Sequence, residues 1–219
     1  MSGSIADNLH RVQDRIAAAL PRTGRSADAV TLIAVTKSVG LAEIDELKQL
    51  GVTHFGENRI NTAEPKIAGL HGAVTWHMIG NIQRRKARDV VRLFDCVDTV
   101  DRVELAQELS TRAGERPSPL PILVEVNVSG EESKHGFDAF ELPDALGIMK
   151  ELPALRVDGL MTMAPFFDNA EQTRPIFAEL RALADRFGMK RVSMGMSNDF
   201  DVAIEEGSTE VRIGTALFE

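Results

Sequence analysis

Tyrosine is absent from this chain of 219 residues, and cysteine and tryptophan occur once each, as Cys96 and Trp76. A single cysteine excludes an internal disulfide and a multi-cysteine metal cage, and it fits a reducing compartment. The five histidines show no His-Glu-x-x-His or Cys/His spacing, so no metal motif is legible. No apolar run reaches the roughly 20 residues of a membrane helix. The opening segment, Met1 to Asp7, lacks the basic and apolar regions of a signal peptide, so a cytoplasmic location is expected. Positive charge is also scarce: 25 Lys and Arg stand against 33 Asp and Glu, a net charge of −8. That balance excludes the basic footprint of a general nucleic-acid binder. The local exception is Arg84-Arg85-Lys86-Ala87-Arg88 with Arg92, either a solvated helix face or an anion or partner site. No Gly/Ser/Pro-rich linker divides the chain, so residues 1–219 read as one domain.

What the chain does have is alternation. Ile5, Leu9, Val12 and Ile16 recur at helical spacing, and Pro21 ends that helix. Strand patterns follow at 31–36, 53–55, 75–78, 96–97, 122–127, 157–161, 191–194 and 210–213. Helical patterns lie between them at 41–50, 58–70, 84–93, 102–113, 139–151, 170–187 and 199–206. Eight strands alternating with helices predict an α/β fold, a (β/α)8 TIM barrel with an extra N-terminal helix. An open doubly wound sheet is the second choice, but the turn after the first strand, Lys37-Ser38-Val39-Gly40, is not the Gly-rich turn of that fold. Polar residues gather where strands end: Lys37, Glu57, Asn58, His77, Asn81, Asn127, Ser129, Thr162, Ser197, Arg212 and Thr215. In a barrel those ends share one mouth, where active sites are built.

Lys37 closes the run Val30-Thr31-Leu32-Ile33-Ala34-Val35-Thr36. Such a lysine usually snorkels, with its stem on the core and its ammonium in water. Less often it is a reactive amine that forms a Schiff base with a carbonyl. At the other end of the chain, Ser193-Met194-Gly195-Met196-Ser197 and Val211-Arg212-Ile213-Gly214-Thr215 are strand-to-turn segments one βα unit apart. Loops after the seventh and eighth strands of a barrel commonly hold a phosphate. An amine on the first strand and a phosphate cup on the last two describe a site for a phosphorylated aldehyde, and pyridoxal 5'-phosphate (PLP) is the cofactor that fits.

The chain resembles the pyridoxal phosphate homeostasis protein family over nearly its whole length. The resemblance rests on Ala34-Val35-Thr36-Lys37, Phe55-Gly56-Glu57-Asn58 and Trp76-His77-Met78-Ile79-Gly80-Asn81-Ile82-Gln83. It continues through Val126-Asn127, Lys134-His135-Gly136-Phe137 and Gly159-Leu160-Met161-Thr162-Met163, and closes with 193–199 and 207–215. It implies a barrel like the N-terminal domain of alanine racemase. It further implies PLP as a Schiff base on Lys37, the ring nitrogen facing Arg212, and the phosphate held by Ser197, Gly214 and Thr215. Asn58 and His77 would line the ring pocket. The family is regarded as a PLP carrier and regulator of vitamin B6 levels without established turnover. The expected partners are PLP and PLP-dependent apo-enzymes, with no nucleic acid and no membrane, and the chain is expected to be a monomer. Two departures stand out. Arg84-Arg85-Lys86 replaces the family's frequent Asn-Lys, and the chain stops at Leu217-Phe218-Glu219, where relatives usually continue with Gly-x-Arg.

Each of these residues also has a plainer reading. Period two puts Glu210, Arg212 and Gly214 on one face of the last strand, where Arg212 would ordinarily pair with Glu210 or Glu57. Ser197 could cap a helix starting at 198 or 199, Asn58 could cap the helix after it, and Thr215 could be a turn residue. His77 would ordinarily be structural, and Met161, Met163, Met194 and Met196 read as core gap-fillers. A PLP-dependent racemase or decarboxylase is the alternative function. The missing tyrosine weighs against it, because the resemblance to alanine racemase calls for a tyrosine base from a second domain. A class I aldolase is weaker still, since its lysine usually lies on a later strand.

Overall fold

We describe the chain from a computed structural model covering residues 3–131 and 135–219. Lys134, which opens one of the segments above, lies outside the described residues. Eight parallel strands close into a barrel in sequence order. They are β1 (Thr31–Val35), β2 (His54–Glu57), β3 (Thr75–Met78), β4 (Cys96–Val100), β5 (Leu120–Glu125), β6 (Leu155–Met161), β7 (Arg191–Met196) and β8 (Glu210–Ile213). Helix α1 (Ile5–Ala19) precedes them; α2 (Leu41–Gln49), α3 (Ile60–Gly69), α4 (Ala87–Leu93), α5 (Val103–Ala113), α6 (Leu142–Lys150), α7 (Arg174–Arg186) and α8 (Phe200–Glu205) connect them; α9 (Thr215–Phe218) ends the fold. This is the (β/α)8 architecture that the alternation predicts.

The strands carry two sets of side chains because successive residues point to opposite faces. Ala34, Phe55, Trp76, Val97, Val192, Val211 and Ile213 pack under the helices in one continuous core. The alternate set faces the barrel axis and mixes Ile33, Leu123 and Met161 with buried polar groups: His77, Asp98, Ser193, Glu210 and Arg212. Helix α1 starts with a capping box, in which Ser4 Oγ accepts the Asp7 N–H at 3.1 Å and Asp7 accepts the Ser4 N–H at 3.3 Å. Its face of Leu9, Val12, Ile16 and Ala19 is buried against α8 and α9. Asn8, fully inside, donates from Nδ2 to the Leu217 carbonyl at 3.0 Å and so ties the first helix to the last. Among the described residues, no helix is long and apolar enough to cross a membrane.

Candidate cofactor site at the barrel mouth

Barrel closure decides what meets at the mouth. β1 pairs with β8 through Ile33 with Arg212 and Ala34 with Ile213. Continuing that register by one residue puts Val35 beside Gly214, and a Cβ placed on Gly214 would indeed lie 3.4 Å from Val35 Cβ. Lys37, two residues beyond Val35, therefore leaves β1 next to the Gly214–Thr215 turn. β7 completes the group, since Ser197 Oγ accepts the Ala216 N–H at 3.2 Å and fastens the loop after β7 to the first turn of α9. Lys37 and Thr215 are exposed, while Ser197 and Gly214 are half-buried. Lys37 makes no ion pair among the described residues.

Below this rim stands Arg212, only 4% exposed. Its Nη1 donates to Ser193 Oγ at 2.6 Å and its Nη2 to the Thr162 carbonyl at 2.9 Å. The acids expected to pair with it are occupied elsewhere: Glu210 holds Arg191 at 2.5 Å and Glu57 holds Lys66 at 2.7 Å. Burial pulls the Arg212 pKa down, opposed at longer range by Asp98, Glu125, Asp199 and Glu210. The guanidinium is thus a buried cation bonded to neutral acceptors, which leaves its charge available to a lone pair or an anion.

A second network fixes the backbone that presents Lys37. Lys66 Nζ, from α3, donates to the Thr36 carbonyl and to Glu57 Oε1, both at 2.7 Å. Thr36 Oγ1 donates to the same Glu57 oxygen at 2.7 Å, and the Thr36 N–H reaches the Gly56 carbonyl at 3.0 Å. Thr62 adds a hydroxyl donor to Glu57 Oε2 at 3.2 Å. The peptide just before Lys37 is therefore held on both sides. Lys66, which carries this contact, was not singled out in the sequence. Its signal is position, one turn after the buried Ala63 and beside Ile67 on the inner face of α3.

Other expected residues fall differently. His77 is not a strand-end residue at the mouth: it lies within β3, is 1% exposed, and bonds Asp98 through Nδ1 at 3.0 Å and His54 through Nε2 at 3.0 Å. It lines a cleft among the strand starts, at the end of the barrel opposite Lys37. Asn58 stays at the mouth end of β2, half-buried, but does not cap α3, where Arg59 holds the cap position. Gly80 lets the Asn58 backbone pass, since a Cβ there would meet the Asn58 carbonyl oxygen at 2.2 Å. Ser197 is not a helix cap either: α8 starts at Phe200, and Asp199 in the cap position accepts the Met196 N–H at 2.7 Å. Met161 and Met194 are core residues, whereas Met163 and Met196 are half-buried. The basic run forms a short 3-10 turn, Arg84–Lys86, with Arg84 on Glu108 and Lys86 on Asp89.

The family model described as alanine racemase, N-terminal domain, matches residues 5–219. A pyridoxal phosphate homeostasis protein of Pseudomonas aeruginosa is 42% identical, covering 98% of this chain and 95% of that protein. One from Aquifex aeolicus is 38% identical, covering 97% and 96%. The structure of PipY from Synechococcus elongatus with PLP bound superposes with a TM-score of 0.82 at 33% identity, covering 95% of this chain and 100% of that one. With near-complete coverage and the closed barrel in place, the chain belongs to the pyridoxal phosphate homeostasis protein family, on the fold of the alanine racemase N-terminal domain.

Proposed function

We propose that this protein binds PLP at the barrel mouth and serves intracellular PLP homeostasis, holding and handing on the cofactor without turning over an amino acid. The observation that carries this reading is the β1–β8 seam, which brings the chain leaving β1 toward Lys37 alongside the Gly214–Thr215 turn and the Ser197–Ala216 clasp. The residues suit the cofactor group by group. Lys37 is an accessible amine for the aldehyde. Ser197, Gly214 and Thr215 would hold the phosphate, at a turn where packing alone does not demand glycine, since a Cβ at Gly214 would make only ordinary contact. Asn58 stands at the rim of the ring pocket.

When bound, PLP supplies an electron sink whose strength depends on protonation of its ring nitrogen. In this reading Arg212 would face that nitrogen. A guanidinium donates a hydrogen bond but does not give up its proton, so Arg212 would orient the ring while leaving the sink weak. Lys66 donates to the Thr36 carbonyl, Glu57 accepts from both Lys66 and the Thr36 hydroxyl, and together they would aim Lys37. No tyrosine exists in the chain to act as the opposing base of a two-base racemase. These features favour custody of the cofactor over carbanion chemistry. The same reading takes residues 1–219 as one PLP-binding domain that acts as a cytoplasmic monomer and passes PLP to apo-enzymes.

The test is an absorbance titration with PLP, followed by borohydride and peptide mapping, on wild type and Lys37→Ala. A visible band and a reduced adduct on Lys37 alone are expected. A wild type without a band, or a band that survives Lys37→Ala, defeats the assignment. Rapid racemisation or decarboxylation across a panel of amino acids would replace the carrier by the enzyme.

A further inference from the structure

The other end of the barrel holds a constellation that the mouth does not use. A cleft of about 470 Å³ opens among the strand starts, bordered by Thr31, His54, His77, Cys96, Arg191 and Glu210. Two of its lining residues, His77 and Cys96, stand beside the fully buried Asp98, and the three each offer a donor atom, all within 4.8 Å of one another. All three are buried, at 1%, 2% and 0% exposure. Asp98 bridges the other two, with Oδ2 3.0 Å from His77 Nδ1 and Oδ1 3.1 Å from Cys96 Sγ. His77 and Cys96 are register partners on β3 and β4, so the cluster is fixed by the sheet and not by loops.

We infer that this cluster is a transition-metal site of the zinc class, with His77 Nδ1, Cys96 Sγ and an Asp98 oxygen as ligands and a cleft water in the fourth position. Bonds of about 2.0–2.3 Å to imidazole, thiolate and carboxylate fit donor atoms this close. The donor set is borderline-soft; calcium and magnesium would demand oxygen alone. The charges also match, since one thiolate and one carboxylate neutralise a divalent ion. On binding, Cys96 releases its thiol proton to solvent, and the single imidazole proton of His77 passes by exchange with water from Nδ1 to Nε2, which frees Nδ1 for the ion. His54, with Nδ1 3.0 Å from His77 Nε2, then accepts the Nε2–H and fixes the tautomer that leaves Nδ1 free for the metal. Arg191 lies 3.6 Å from Cys96 Sγ, but Glu210 at 2.5 Å and Asp158 at 3.2 Å already balance its charge. The cleft provides the entry path. Lys37, Ser197, Gly214 and Thr215 take no part, so the site stands whether or not PLP binds at the mouth.

The experiment is a cobalt(II) titration of the full-length, PLP-free protein, read by the thiolate-to-cobalt charge-transfer band, with zinc chloride as competitor. One equivalent of cobalt should give the band, and zinc should abolish it. Cys96→Ala should lose the band, Asp98→Asn should bind at least tenfold more weakly, and Lys37→Ala should match wild type. Circular dichroism checks that each variant is folded. A wild type that gives no thiolate band overturns the site without recourse to any variant. Equal affinity in wild type and Cys96→Ala also overturns it and assigns the metal to surface histidines.

Discussion

Lys66→Met tests whether the buried pair beneath Lys37 does what its geometry suggests. The substitution preserves the aliphatic stem and removes the ammonium. Glu57, whose side chain is fully buried, then loses its cation, and the Thr36 carbonyl loses a donor. Breaking a buried ion pair by removing one partner costs about 3–5 kcal/mol. Two hydroxyls, from Thr36 and Thr62, remain on Glu57 and cushion the loss, so the lower end, about 3 kcal/mol, is expected. At roughly 2.1 cal/mol/K per residue, a chain of 219 residues has an unfolding entropy of about 0.46 kcal/mol/K. The melting temperature should then fall by roughly 6–7 °C. Thermal and urea unfolding of PLP-free protein measure this, and the double variant Lys66→Met with Glu57→Gln should recover part of the loss, because no buried charge stays unpaired. PLP affinity should fall in both variants, since neither holds the Thr36 carbonyl as before. A stability loss under about 1 kcal/mol, or a double variant less stable than Lys66→Met, refutes the argument.

Gly214→Ala should leave PLP-free stability within about 1 kcal/mol of wild type, because the added methyl meets Val35 at ordinary contact distance. PLP affinity should weaken at least about tenfold, or ~1.4 kcal/mol, and unchanged affinity would remove Gly214 from the phosphate cup. The His77–Asp98 pair gives a pH signature. Asp98 holds the His77 pKa above its ordinary 6.5, and the His77 charge and hydrogen bond hold Asp98 below its ordinary 3.8 despite burial. The His77 contribution is therefore complete below pH 6.5 and lost as pH rises through the raised value; that of Asp98 is complete above pH 3.8 and lost as pH falls through the lowered value. His54 works in the opposite sense, because burial lowers its pKa and stability falls as it is forced to charge. With a chelator present, the stability difference between wild type and Asp98→Asn should peak between those limits and shrink toward alkaline pH; a difference independent of pH contradicts the pairing.

The barrel was legible because its outer layer is apolar and periodic. Ala34, Phe55, Trp76 and Val211 announce strands that must be covered by helices. Strand ends were less legible, because the axis-facing positions are polar here. β4 runs on through Asp98 and Thr99, and β2 through Gly56 and Glu57, where an apolar-run criterion stops too soon. The same polarity made His77 read as a strand-end residue, although register places it inside β3. At the mouth, Lys37, Ser197, Gly214 and Thr215 were readable as residue types at strand-to-turn junctions. Their meeting depends on closure of β8 onto β1, which no local pattern encodes. Lys66 with Glu57, and His77 with Cys96 and Asp98, were hidden for a related reason: each cluster is joined by sheet register or helix packing across separate segments.

The seam between the first and last strands also has a consequence for when the site comes into being. A cup whose amine comes from β1 and whose clasp comes from the loops after β7 and β8 does not exist in any partial barrel. During synthesis, the chain exposes Lys37 early and completes the clasp only once the segment after β8 has emerged. Joining these distant segments means closing a loop that spans the whole barrel, the kind of contact that forms late and slowly. A ligand bound across the seam adds its binding free energy to the closed state alone. PLP would then act as a latch on the closed barrel, and its occupancy would count barrels sealed across this seam and not open ones.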